Sequence, residues 1–457
     1  MARDLQAFLA TKRFGCGAVP GEIAERLHDP VGSVLAELDR PADALLADAR
    51  LPDRQGALAL HRAHREARKA RPADSPMVDE EAGEPERPGP NPARTIYRDE
   101  AHARCLRAVE TGTPVLERLV AFWSNHLCVA ANRGPLVRLF AGLFEREAIR
   151  PHVLGRFEDM LVAAIRHPAM LSYLDSTKSV GPRSRAGQRT GKALNENLAR
   201  EILELHTLGV DGGYDQSDVT EFAKILTGWT FDRAGHGDGL GDFRFQAARR
   251  EPGPATVLGR SYNGDGEGRG LAVLRDLAHH PSTARFLAMK LVRHFLGAPH
   301  AALADRLAAV YAGTDGDLAA MTRALVTDPE MWRAERPVFL APYDHVVAAL
   351  RASGVRPRPQ EIIRVLDVFG QPLWTPPSPA GWPDAPDAWL APDTLLERLN
   401  WAETVAARAD LPDDIDAFAA GILGAAYDPD TRLVVQRAES REQAFAIMVM
   451  SPGFQRR

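Results

Sequence analysis

Between residues 98 and 352 the apolar side chains recur every three or four positions, and prolines and glycines cut the pattern into segments of helical length. Leu116, Leu119, Val120, Trp123 and Leu127 form one such run behind Pro114. That spacing sets them on one face of an α-helix, and proline suits a first helical turn, where its missing N–H has no partner to lose. Residues 154–166 read as another helix that stops before Pro168, since the residue preceding a proline leaves the helical region. Helices resume at about residue 271 and continue to about 351. Residues 230–260 break the rule. They are glycine-rich, and Thr230-Phe231 and Phe243-Arg244-Phe245 alternate as a small β-hairpin would. The expected fold is mainly α: a multi-helix, bundle-like body with a small β-hairpin region near 230–260.

At 457 residues the chain exceeds one ordinary core, so two or three lobes are expected. Residues 1–73 read as an N-terminal helical region, with helices opened by Pro20-Gly21-Glu22 and by Pro41 and an exposed, charged helix over 57–69. Residues 74–96 are acidic, proline-rich and nearly free of apolar side chains. Such a stretch cannot bury enough surface to offset its ordering entropy, and a flexible linker is expected. Residues 97–354 form the central helical core, and 355–457 a Trp/Pro loop and further helices, the first of them capped by Asp393. Four of the seven tryptophans (Trp374, Trp382, Trp389 and Trp401) fall in or beside that loop. A polar loop does not collect indoles, so this one should pack back onto the body.

Lys plus Arg is 56 and Asp plus Glu is 61. The basic excess that nucleic-acid binding needs is missing. No apolar run approaches the roughly 20 residues that cross a bilayer, and the first residues lack the apolar core of a secretory signal, so a cytoplasmic protein is expected. The three cysteines, Cys16, Cys105 and Cys128, contain no C-x-x-C pair and are odd in number. Neither a thiolate zinc site nor a disulfide framework follows. Cys16, between two glycines, is a candidate reactive thiol; Cys128 reads as a small core residue. Asn263-Gly-Asp-Gly-Glu267 imitates the start of a calcium loop, but Leu274 stands where a bidentate carboxylate is needed.

The densest candidate chemistry lies in residues 195–209, where Asn195, Glu196, Asn197, Arg200, Glu201, Glu204 and His206 stand among leucines. At about 100° per residue, Leu194, Leu198, Ile202 and Leu205 share a core-facing arc. Asn197, Arg200, Glu201 and Glu204 fall on a second arc. His206 lies about 160° from Glu204, so a site using both needs a second helix. His126, one turn from Trp123, is its best donor. Two readings stay open. In the first, Arg200 pairs with Glu196 or Glu204, His206 sits at a core edge, and the chain is a scaffold or accessory protein acting with a partner. In the second, the chain is an enzyme with its pocket between the helix behind Pro114 and the 195–209 helix. Glu201 and Glu204 would be acid/base groups or, with His126, ligands of a bound metal; Arg200 would clamp an anion, and His126 or His206 would carry a proton. Asp175, after Tyr173, closes a turn in the first reading and is an acid in the second.

Several longer strings carry a family likeness. They are Arg13-Phe-Gly-Cys-Gly-Ala-Val-Pro-Gly-Glu22, Phe122-Trp-Ser-Asn-His126, Pro168-Ala-Met-Leu-Ser-Tyr-Leu-Asp175, the 195–209 run, Thr227-Gly-Trp229, the 370–383 run and Ser451-Pro-Gly-Phe-Gln-Arg-Arg457. Together they resemble the bacterial domain-of-unknown-function 1800 family over nearly the whole chain. The resemblance implies no activity; it does imply a partner of the sulfatase-like domain-of-unknown-function 1501 family, often encoded alongside. Two departures stand out. Ser124 replaces the first of two histidines common in the tryptophan motif, and Arg250-Glu251 stands where His-Asp is frequent.

Overall fold

Proline opens the helices much as the spacing implies: Pro92, Pro114, Pro135, Pro281, Pro342 and Pro392 each hold a first helical position. The structure, a computed structural model, describes residues 2–70, 90–235, 239–264, 266–333 and 338–457. It is mainly helical, with two small antiparallel two-stranded sheets. Most of the expected linker lies outside the described residues. Its last part is helical, because the Asn91 side chain accepts from the Ala93 N–H at 3.0 Å and caps the helix Pro92–Glu110. Ala391, not Asp393, holds the cap position of Pro392–Ala406; Asp393 sits in the first turn.

The expected hairpin is present, with Trp229–Phe231 paired to Phe243–Phe245 and Thr230 opposite Arg244. A second hairpin, Ala255–Val257 with Arg260–Tyr262, turns through Leu258 and Gly259. Both have positive φ, 50° and 73°, as a type I′ turn requires.

The apolar residues form one contiguous cluster that runs from Ala7 to Phe454. Pro92–Glu110 packs on Pro135–Phe144, Pro281–Leu296 on Ala301–Gly313, and Pro392–Ala406 on Arg441–Met450. No described helix is long and apolar enough to cross a membrane. Among the described residues three helices widen into π turns, at Ala10–Phe14, Glu145–Ile149 and Ile202–Thr207. Such turns are rare and tend to occur at functional positions. Each of these carries a buried ionisable side chain: Lys12 and Arg13, Glu145, and His206. The Lys12 Nζ donates to the Phe454 carbonyl at 3.0 Å and lies 3.7 Å from that ring's centre, and Arg13 donates to the Met331 carbonyl at 2.6 Å. Residues 455–457 pair with 338–340: Leu340 N–H donates to Gln455 at 2.8 Å, and Val338 and Arg457 exchange bonds at 3.0 and 2.9 Å.

Candidate functional site

The structure distributes the expected site residues over three environments. Arg200 and Glu196 form an ion pair at 3.2 Å on the outer face, where Glu196 also accepts from Gln216 at 2.9 Å and Thr220 at 2.7 Å. The Thr220 hydrogen bond, working against partial burial, holds the Glu196 carboxyl below its usual value. Asn197 is exposed, and Asn195 accepts from its N–H at 2.9 Å as a local turn. Glu201 and Glu204 are half-buried; burial, with the charge of Glu204, pushes the Glu201 carboxyl up. His126 and His206 lie in the core, 1% and 0% exposed, with ring centres 6.4 Å apart. The π turn over Ile202–Thr207 seats His206 fully inside, deeper than the core edge that regular α geometry gives it. His126 Nε2 meets the His206 carbonyl at 3.1 Å, and both nitrogens of His206 are without a partner among the described residues.

Among the described residues no three His, Cys, Asp or Glu side chains stand where they could hold one metal ion, so Glu201, Glu204 and His126 do not make the expected ligand set. Asp175 has φ 58° and pairs with the exposed Lys178 at 2.7 Å, which closes a turn. Cys16 is corrected too. Its thiol is buried, donates to the Pro114 carbonyl at 3.4 Å and is pushed up to about 12 by burial, the opposite of a reactive thiol. Both departures from the family motifs are bonded in place: Ser124 donates to Glu145 at 2.9 Å, and the buried Glu251 accepts from Arg183 N and Nε at 2.9 and 2.6 Å.

A different set of side chains converges beneath the 371–389 loop. There the helices Pro114–His126, Pro281–Leu296 and Pro342–Ser353, the loop and Arg457 enclose a cavity of about 100 Å³. The loop folds back as its tryptophans imply. Asn125 grips it through both backbone groups of Trp382, at 2.9 and 2.7 Å, and the Trp374 carbonyl accepts from the Ala131 N–H at 2.8 Å. Trp374 itself holds φ 48°, a left-handed conformation unusual for a side-chain-bearing residue. Its indole N–H donates to Glu145 at 3.1 Å, which fixes it there. Glu145, on its π turn, also pairs with Arg104 at 2.9 Å and Arg150 at 3.0 Å. Burial pushes the Glu145 carboxyl up, but the two guanidinium charges outweigh it and hold the group ionised.

The cavity wall holds titratable groups in specific states. His294 Nδ1 lies 3.1 Å from an Asp384 carboxylate oxygen. Burial pushes Asp384 up, yet the His294 bond and the nearby Lys290 and Arg457 charges bring it below its usual value, so it is ionised. An ionised carboxylate only accepts, so Nδ1 carries the proton. Burial also lowers His294, which leaves Nε2 an unprotonated acceptor at neutral pH. Nε2 is buried and without a hydrogen-bond partner among the described residues, as are the Tyr343 hydroxyl and the Arg457 Nη1, while Arg457 Nε lies 4.0 Å from an Asp344 carboxylate oxygen. Burial holds the Tyr343 hydroxyl well above its usual value, so it is a neutral O–H donor.

None of these groups stood out in the sequence. His294 is one more residue on an amphipathic helix, and its partner lies ninety positions away in a proline-rich loop. The available signal was indirect: Asp384 directly follows the 370–383 string, and Arg457 ends the closing one. A family model described as "Protein of unknown function (DUF1800)" matches residues 9–456. No curated protein matches the chain, and no solved structure does.

Proposed function

Since the chain belongs to the DUF1800 family of proteins of unknown function, we propose from its own side chains that it is an enzyme working by general-base chemistry in the cavity beneath the 371–389 loop. The observation that carries this reading is the Asp384–His294 pair, with a buried, unpartnered Nε2 on a cavity wall. A carboxylate that holds the imidazole by Nδ1 fixes its tautomer and raises the basicity of the other nitrogen. Asp384 is a positioning residue and His294 the base. Tyr343 and Arg457 supply N–H and O–H groups toward oxygen that gains negative charge as the proton leaves. A cavity of about 100 Å³ admits several waters or a ligand of a few heavy atoms.

A panel of small esters and of carbonyl compounds with an acidic C–H, followed by NMR in D₂O, tests the proposal. Hydrolysis or deuterium incorporation is expected for at least one compound. His294→Gln is expected to slow it by about 10²–10⁴-fold with little change in melting midpoint, since Gln can still bond Asp384. An unchanged rate in that variant, or no turnover across the panel, would falsify the reading.

A second reading, an accessory protein acting with a partner such as a sulfatase-like domain-of-unknown-function 1501 protein, is favoured by one observation. An open groove of about 850 Å³ runs between Pro359–Val368 and Pro392–Ala406, and Val368 on its wall is 48% exposed. Co-purification with such a protein, lost in Val368→Glu, is the expected result.

A further inference from the structure

We infer that the ligand of this cavity is a small uncharged carbonyl compound, held by its oxygen on Tyr343 and Arg457 and presenting an O–H, N–H or acidic C–H to His294; the inference rests on the catalytic reading of the site and names its substrate class. The first ground is the balance of charge. Four ionised side chains line the cavity, Arg104, Asp344, Asp384 and Arg457, and they sum to zero. Each faces an opposite charge. Arg104 pairs with Glu145 at 2.9 Å, and Asp344 with Arg118 at 2.5 Å. Arg457 Nε lies 4.0 Å from Asp344, and the charges of Lys290 and Arg457 offset Asp384.

An ion that enters such a space gives up its water and meets no unbalanced charge, so its desolvation goes uncompensated. A neutral molecule escapes that cost. The surfaces between the polar groups favour it further. Leu373 and the indoles of Trp374, Trp382 and Trp389 line the cavity, with the Trp382 and Trp389 ring centres 5.9 Å apart. Such walls take an apolar body and leave recognition to a few polar groups.

The second ground is the set of polar groups that the wall leaves unbonded. The Tyr343 hydroxyl and Arg457 Nη1 are donors and His294 Nε2 is an acceptor, and none of the three has a hydrogen-bond partner among the described residues. Tyr343 is 9% exposed and Arg457 7%. Buried polar groups without bonds are costly, so a ligand that bonds to all three is favoured. It needs an oxygen acceptor at one end and a hydrogen to donate at the other. A carbonyl with an O–H, N–H or acidic C–H on the neighbouring atom supplies both within a few heavy atoms. A carboxylate would turn oxygen lone pairs toward the lone pair of Nε2, and an amidinium would turn N–H groups toward the donors.

Three molecules of one shape and different charge make the test: acetamide, acetate and acetamidinium, each titrated into the full-length protein at neutral pH and followed by NMR line shape. Acetamide is expected to bind about tenfold more tightly than either ion. Tyr343→Phe, which removes only the unbonded hydroxyl, should weaken acetamide by about threefold. Asp384→Asn leaves the wall with one positive charge in excess, and should improve acetate relative to acetamide by about tenfold. Should Asp384→Asn not fold, the comparison of the three molecules on the unaltered protein and on Tyr343→Phe decides alone. Either ion binding as well as acetamide, none of the three binding, acetamide binding untouched by Tyr343→Phe, or an unchanged preference in a folded Asp384→Asn each overturns the inference. The two claims fail separately. Turnover that depends on His294, with acetate bound as tightly as acetamide, removes the uncharged class and keeps the base. Selective binding of acetamide without any turnover keeps the ligand class and removes the catalysis.

Discussion

Lowering the pH from 7.5 to 5.5 is expected to reduce folding stability, by about 1.4 kcal/mol through His206, with His126 and His345 acting in the same direction. His126, His206 and His345 are 1%, 0% and 0% exposed. Burial holds all three below the ordinary histidine value, and takes His206 down to about 3. In the unfolded chain each ring titrates near 6.5. Below that value the unfolded state binds more protons than the folded one, so stability falls as the pH falls. The contribution is fully present above about 6.5, and for His206 it goes on being lost down to about pH 3. Urea midpoints at pH 7.5, 6.5 and 5.5 measure the loss. A flat profile would mean that these rings are hydrated or paired. The variant His206→Leu isolates that residue's share of the slope. It also removes two buried nitrogens that have no partner among the described residues, so it should be neutral or stabilising at the lower pH.

Glu145→Ala is expected to cost about 3–5 kcal/mol, the penalty for leaving buried charge unpaired. Glu145 is 1% exposed and takes bonds from Arg104, Arg150, Ser124 and the Trp374 indole. Its loss strands the Arg104 guanidinium in the core, leaves Arg150 paired with Glu117 alone, and releases the indole that pins the 371–389 loop. Ser124→Ala removes one neutral donor from the same carboxylate and should cost only about 1 kcal/mol. Chemical denaturation of both variants, with tryptophan fluorescence to follow the loop, separates the two sizes of effect. A cost below about 1 kcal/mol for Glu145→Ala would show that the network does not hold the loop.

The parts of the fold that could be read early were those written in local chemistry. Pro114 marks a helix start and Pro168 the end of the helix before it whatever they pack against, and the alternation at Thr230-Phe231 and Phe243-Arg244-Phe245 survives as a hairpin. The second hairpin stayed hidden because its turn is Leu258-Gly259, where Asn or Asp usually announces positive φ, and its strands are three residues each. The π turns were invisible for a deeper reason. A local sequence that suits an α-helix does not say where tertiary packing will widen it. At Ile202–Thr207 that widening carries His206 fully into the core. The Arg200–Glu196 pair was readable from its four-residue spacing. The cavity was not, because its groups meet only after folding: His294 with Asp384, Arg104 with Glu145, and Arg457 with the His294 carbonyl across 163 positions.

Lys12 reaches Phe454 across 442 positions, and Arg13 reaches Met331 across 318. A ribosome adding about 5–20 residues per second needs roughly 20–90 s to make the distance between the first pair. For most of that interval the Phe14 ring, fully buried in the finished molecule, waits for Phe295 and Trp332, the rings it packs against. Contacts of such high order slow the search for the native state, and the aromatic face stays open to non-native association until they form.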